Sequence, residues 1–136
     1  MSLELIRVDE PFSFELRNEE GIVCGIDANP SIGGNGKGFR PMELLAGSLA
    51  GCASIDVILI LKKQRIEPTH FGIKIETRRS TEVPAIFEQI KLIFEVNAEV
   101  PKEKLEKAIR LTIDKYCSVS ASLKESVDVQ FEVKHI

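Results

Sequence analysis

The chain has little of what makes a metal-binding or nucleic-acid-binding protein recognisable. Its 136 residues hold two histidines and three cysteines, and no Cys-x-x-Cys occurs, so no zinc site is supported by spacing. An odd number of cysteines without an export signal argues against a disulfide framework and makes any disulfide a transient one. Positive charge is not in excess either. The 18 Lys and Arg stand against 21 Asp and Glu, a formal net charge of −3, which leaves no electrostatic footprint for nucleic acid or an anionic membrane. No basic segment followed by a long apolar stretch opens the chain, so a cytoplasmic location is the expectation. No internal repeat or low-complexity tract is present, and the length suits a single domain over 1–136.

What the chain does have is one long apolar run, Pro41 to Leu61. It is apolar on every face, so the predicted helix, running from Pro41 to about Lys63, must be wrapped by other elements or by a second subunit. Pro41 suits the first helical turn and Glu43 suits the positive end of the helix dipole. The run has about the length of a bilayer span, but it contains Glu43, Asp56, two serines and two glycines, and a central carboxylate is costly in lipid. Cys52 lies in the middle of the run and Asp56 four residues on, which puts both on one helical face.

Around this helix the pattern is mixed. Residues 3–8 and Phe12–Leu16 alternate in hydrophobicity, and a turn at Arg17–Gly21 leads into Ile22–Ile26, giving an N-terminal strand and a hairpin. Residues 27–38 carry four glycines and a proline, so they read as a mobile loop able to act as a lid. The loop lacks the spacing and the final Lys-Ser/Thr of a phosphate-binding P-loop. Phe71–Thr77 and Ile86–Val96 have the period of strands. Pro101–Tyr116 is an amphipathic helix whose stripe is Leu105, Ala108, Ile109, Thr112, Ile113 and Tyr116. Cys117 closes it, Ser118–Glu125 suggests a third short helix, and Val127–Val133 alternates as a final strand. The predicted class is α+β, in the order three strands, helix, two strands, two helices, strand. Cys24 reads as strand packing, and His70 and His135 read as surface residues.

With Pro41-Met-Glu-Leu-Leu-Ala-Gly-Ser-Leu-Ala-Gly-Cys52-Ala-Ser-Ile-Asp-Val57 in the first helix and Lys115-Tyr-Cys-Ser-Val-Ser120 ending the second, the chain resembles the OsmC/Ohr family over nearly its whole length. Within that family it is most similar to the OsmC-type subgroup of the YhfA kind. The resemblance implies β3-α-β2-α2-β subunits in an intertwined homodimer with central buried helices and active sites where the subunits meet. It also implies a function, the thiol-dependent reduction of organic hydroperoxides. Cys52 would be the peroxidatic thiol and Cys117 the resolving one, a cellular dithiol would be the reductant, and neither metal nor organic cofactor would be needed. That chemistry suits these residue types, because a thiolate is a strong nucleophile and a nearby second thiol traps the sulfenic acid before further oxidation.

Family peroxidases pair an arginine with a glutamate directly after the proline that opens the helix. Here that position is Met42 and the glutamate follows as Glu43, turned by about 100° around the helix. Arg17, Arg40, Arg78 and Arg79 are all available as the arginine, and the supporting candidates are Glu43, Arg40, Arg78 and Asp56. The competing reading is a non-catalytic family member that binds a small apolar ligand in the interface cavity, its cysteines serving as packing.

Overall fold

The computed structural model describes residues 1–123 and 125–136. Its strands are β1 (Glu4–Asp9), β2 (Ser13–Arg17), β3 (Val23–Ile26), β4 (Phe71–Arg79), β5 (Phe87–Val96) and β6 (Asp128–His135). The helices are α1 (Pro41–Lys63), α2 (Lys102–Leu111) and α3 (Ser118–Leu123), in the order the sequence pattern predicts. Of the expected stretch Ser118–Glu125, Lys124 lies outside the described residues. The backbone divides into two compact units, Met1–Leu45 and Ala46–Ile136.

In the first unit β1, β2 and β3 form an antiparallel sheet in that order. The β2–β3 turn is closed by Asn18, whose side-chain oxygen accepts the backbone N–H groups of Glu20 and Ile22. Gly21 supplies the positive φ of 82° that this turn needs. The loop that follows β3 is pinned, contrary to the expected mobile lid. Asp27 is buried, and its carboxylate accepts hydrogen bonds from Ala28, Asn35 and Lys37 backbone N–H groups and from the Ser13 hydroxyl. The glycines serve close backbone approach: a side chain at Gly34 would strike the Ala28 carbonyl, and one at Gly38 would lie 2.6 Å from the Gly25 backbone.

The second unit has β5 at the centre of its sheet, antiparallel to β4 and parallel to β6. Two-residue alternation puts Ile90, Leu92, Phe94 and Val96 into the core at 0% exposure. A parallel neighbour requires a crossover rather than a hairpin, and residues 97–127 provide it through α2 and α3. Leu105, Ala108 and Ile109 bury one stripe of α2. Its outer residue Arg110 places a guanidinium 5.5 Å from the centre of the Phe131 ring of β6. The predicted helix to Tyr116 changes character at its end. Regular α-helix stops at Leu111 and Thr112–Tyr116 forms a wider π-helical turn, closed by the Cys117 N–H bonding back to Thr112 at 2.8 Å.

Helix α1 is wrapped on one face only within a single chain. Ala46, Leu49, Ala50, Ala53, Val57 and Leu61 are buried in one stripe, while Ile55 is 63% and Leu59 51% exposed on the other side. Gly47 and Gly51 share that open side, with nothing within 4 Å of where a side chain would project.

Candidate functional site

At 3.6 residues per turn, Cys52 and Asp56 fall on the flank of α1, between the buried stripe and the open face. Both are half-buried. Cys117 arrives from the crossover and is 1% exposed. Cys52 Sγ, a carboxylate oxygen of Asp56 and Cys117 Sγ all lie within 4.8 Å of one another. All three cysteines are free thiols, and Cys24 belongs to β3 in the other unit.

Cys117 is fixed by capping chemistry. Its backbone is extended, at φ −72° and ψ 109°, and its carbonyl accepts the Ala121 N–H at 2.9 Å as the first bond of α3. Its sulfur accepts the Ser120 N–H at 3.3 Å, three residues on, as the side chain of a helix N-cap residue does. Ser120 is itself held by its hydroxyl donating to the Ile113 carbonyl at 3.2 Å. Burial pushes the Cys117 thiol up to about 11, and the neighbouring Cys52 thiol adds to the rise; the Ser120 and Val119 N–H groups offset only part of it. Among the described residues, no lysine or arginine figures among the groups that act on Cys117.

Of the other candidates, Arg40 and Glu43 belong to the first unit and Arg78 to the second. The Glu43 carboxylate accepts the Arg40 backbone N–H at 2.8 Å. With Arg40 preceding Pro41, Glu43 is the third helical residue, the position from which a glutamate reaches back to the cap in a capping box. This gives the step from Met42 to Glu43 a local structural reason. Arg78 lies on β4, 62% exposed, with its Nε 3.5 Å from Glu88. Sequence reasoning brings the two thiols together only through the family resemblance. The inclusion of Asp56 was legible from its four-residue offset, whereas the capping role of Cys117 was not.

Asp56 has a second setting. It borders a surface hollow of about 460 Å³ with Leu59, Ile60, Lys63, Leu111 and Tyr116. A molecule in that hollow meets the apolar side chains of Leu59, Ile60 and Leu111 together with the Asp56 carboxylate, the Lys63 ammonium, the Gln64 amide and the Tyr116 ring.

Comparison with known proteins fits this architecture. Residues 34–132 match the family model described as OsmC-like protein. Protein YhfA of Escherichia coli K12 is 34% identical over 94 residues, covering 68% of this chain and 70% of its own length. A hypothetical protein from Aquifex aeolicus VF5 superposes with a TM-score of 0.81 at 33% identity, over 99% of this chain and 96% of that one. The organic hydroperoxide resistance protein OhrB of Bacillus subtilis shares the fold, with a TM-score of 0.70 at 18% identity over 98% of each chain. In this setting α1, which by length and composition alone would pass for a membrane span, is the long core helix of a known fold. From the extent of the family match and the identity to YhfA, the chain belongs to the OsmC-like family.

Proposed function

We propose that the protein reduces organic hydroperoxides with the Cys52–Cys117 pair, working as a homodimer built on one domain of residues 1–136. The observation that carries this reading is the approach of the two sulfurs within 4.8 Å, from elements far apart in sequence, in a family that includes hydroperoxide resistance proteins. The Cys52 thiolate attacks the O–O bond, expelling an alkoxide that takes up a proton, and becomes a sulfenic acid. The Cys117 sulfur then attacks the Cys52 sulfur. Water leaves, formed from the sulfenic hydroxyl and the Cys117 proton, and a disulfide remains. Asp56, within 4.8 Å of both sulfurs, is our candidate to carry that proton. A cellular dithiol then reduces the disulfide, in keeping with a cytoplasmic setting.

The half-wrapped α1 supports the dimer, since its exposed Ile55, Ile58 and Leu59 need a cover that a second copy would supply. Arg40 and Arg78 remain the candidate cations for activating Cys52, with Glu43 as a candidate partner. Replacing each arginine by methionine and following peroxide consumption identifies which one acts.

Cumene hydroperoxide supplied with a dithiol tests the reading. Wild type is expected to consume peroxide and Cys52→Ser is not, and equal consumption by the two overturns the assignment. A second reading, binding of a small apolar ligand without catalysis, is favoured by the protonated state of Cys117 and by the hollow walled by Leu59, Ile60 and Leu111. Intact mass after one equivalent of peroxide separates them: loss of about two hydrogens marks the disulfide, and an unchanged mass with a co-purified ligand marks the binder.

A further inference from the structure

We propose that the reduced thiol pair, completed by Asp56, is a binding site for a thiophilic divalent cation, zinc in the first instance. The sequence contains no recognised metal spacing, so the case comes from the fold. A Cys-x-x-x-Asp step on one flank of α1 presents a sulfur and a carboxylate side by side, and the crossover delivers a second sulfur to them. All three donor atoms lie within 4.8 Å of one another. Tetrahedral zinc with Zn–S of about 2.3 Å and Zn–O of about 2.1 Å separates its ligands by about 3.6–3.8 Å, so the triangle has to contract by no more than about 1 Å along an edge.

The donor chemistry also fits. Thiolates select zinc and other soft ions over magnesium or calcium. The Ser120 N–H on Cys117 Sγ is the kind of outer hydrogen bond that orients a metal-bound sulfur. Three protein ligands would leave the fourth position of a tetrahedral ion to water, which is the arrangement of an exchangeable site rather than a closed structural one.

Metal and disulfide compete for the same two sulfurs. With the cation bound, both sulfurs are thiolates. Oxidation by an organic hydroperoxide then consumes the two thiolates, the hydroperoxide and two protons, and yields the disulfide, an alcohol, water and the released cation. The site would therefore hold metal only in the reduced protein. This proposal rests on the geometry of the three side chains, and binding is measured without peroxide, so its failure is separate from failure of the peroxidase reading.

The test is titration of the fully reduced full-length protein with cadmium, following thiolate-to-metal charge-transfer absorption, and with zinc in competition against a chromogenic chelator. One metal per chain is expected, with proton release on binding, and the absorption is expected to vanish in Cys52→Ser and in Cys117→Ser. Asp56→Asn should weaken zinc at least about tenfold, since loss even of an outer hydrogen-bond partner costs that much. Circular dichroism monitors the fold of this variant. X-ray absorption of zinc-loaded wild type reads the same ligand without mutation, and a mixed sulfur and oxygen shell is expected. Absence of the charge-transfer band, undiminished zinc affinity in a folded Asp56→Asn, metal bound equally by the disulfide form, or a shell with no sulfur overturns the proposal.

Discussion

Cys117 and Asp27 are buried titratable residues that the fold treats in opposite ways. Cys117 has little compensation for its burial, and with its thiol pushed up to about 11 it stays protonated at neutral pH. In the reduced protein, iodoacetamide is expected to label Cys52 well before Cys117, with unfolding in denaturant equalising them. Peptide mass mapping over time checks this, and Cys117 labelled first would contradict its burial. For Asp27, burial alone would raise the carboxyl, but the Lys37, Ala28 and Asn35 N–H groups and the Ser13 hydroxyl outweigh it and hold the group below its ordinary value. A depressed folded value means that the carboxylate adds stability above the unfolded value and loses it as pH falls through the folded one. The melting-temperature gap between wild type and Asp27→Asn should be constant near neutrality and narrow below about pH 4. A gap that widens on acidification would refute it. The identity of Asp27 as a hub was not legible in the sequence, because its partners are backbone N–H groups set by the folded path of the loop. The glycines around it signalled a loop correctly and mobility wrongly.

Where elements begin and end, local chemistry decides. Glu43 at the third position of α1 reaches the Arg40 N–H, which a glutamine can also do and an alanine cannot. Glu43→Ala is expected to lose about 0.5–1 kcal/mol, the net value of one hydrogen bond, while Glu43→Gln keeps most of it; chemical denaturation measures both. Equal losses would show that charge rather than capping is at work. In β5, Leu92 is fully buried, and Leu92→Ala should cost about 2–5 kcal/mol by the same measurement. Strand periodicity made β4, β5 and β6 readable, since every second residue of β5 is drawn to one core. The π-helical turn at Thr112–Tyr116 was not readable. Its defining bond, from Cys117 to Thr112, depends on how α2 meets α3, and the wider turn breaks the expected stripe: Thr112 stays buried while Tyr116 is 51% exposed. The candidate site was thus half legible: Cys52 and Asp56 share a helix face by simple counting, while the arrival of Cys117 depends on the crossover.

For the whole molecule, the open side of α1 leads to an expected association. Ile55→Glu places a charge among exposed apolar side chains, which should turn a dimeric wild type into monomers in sedimentation velocity while leaving the far-ultraviolet circular dichroism unchanged. A wild type that sediments as a monomer at high concentration would remove the dimer from the proposed function. The parallel pairing of β5 and β6 has a consequence of its own. Cys117 rides on the return leg of that crossover, anchored at one end by the central strand and at the other by the last. Strand β6 is thereby one of the two moorings of the segment that carries the sulfur, so loosening β6 from β5 is expected to loosen the hold on Cys117 as well.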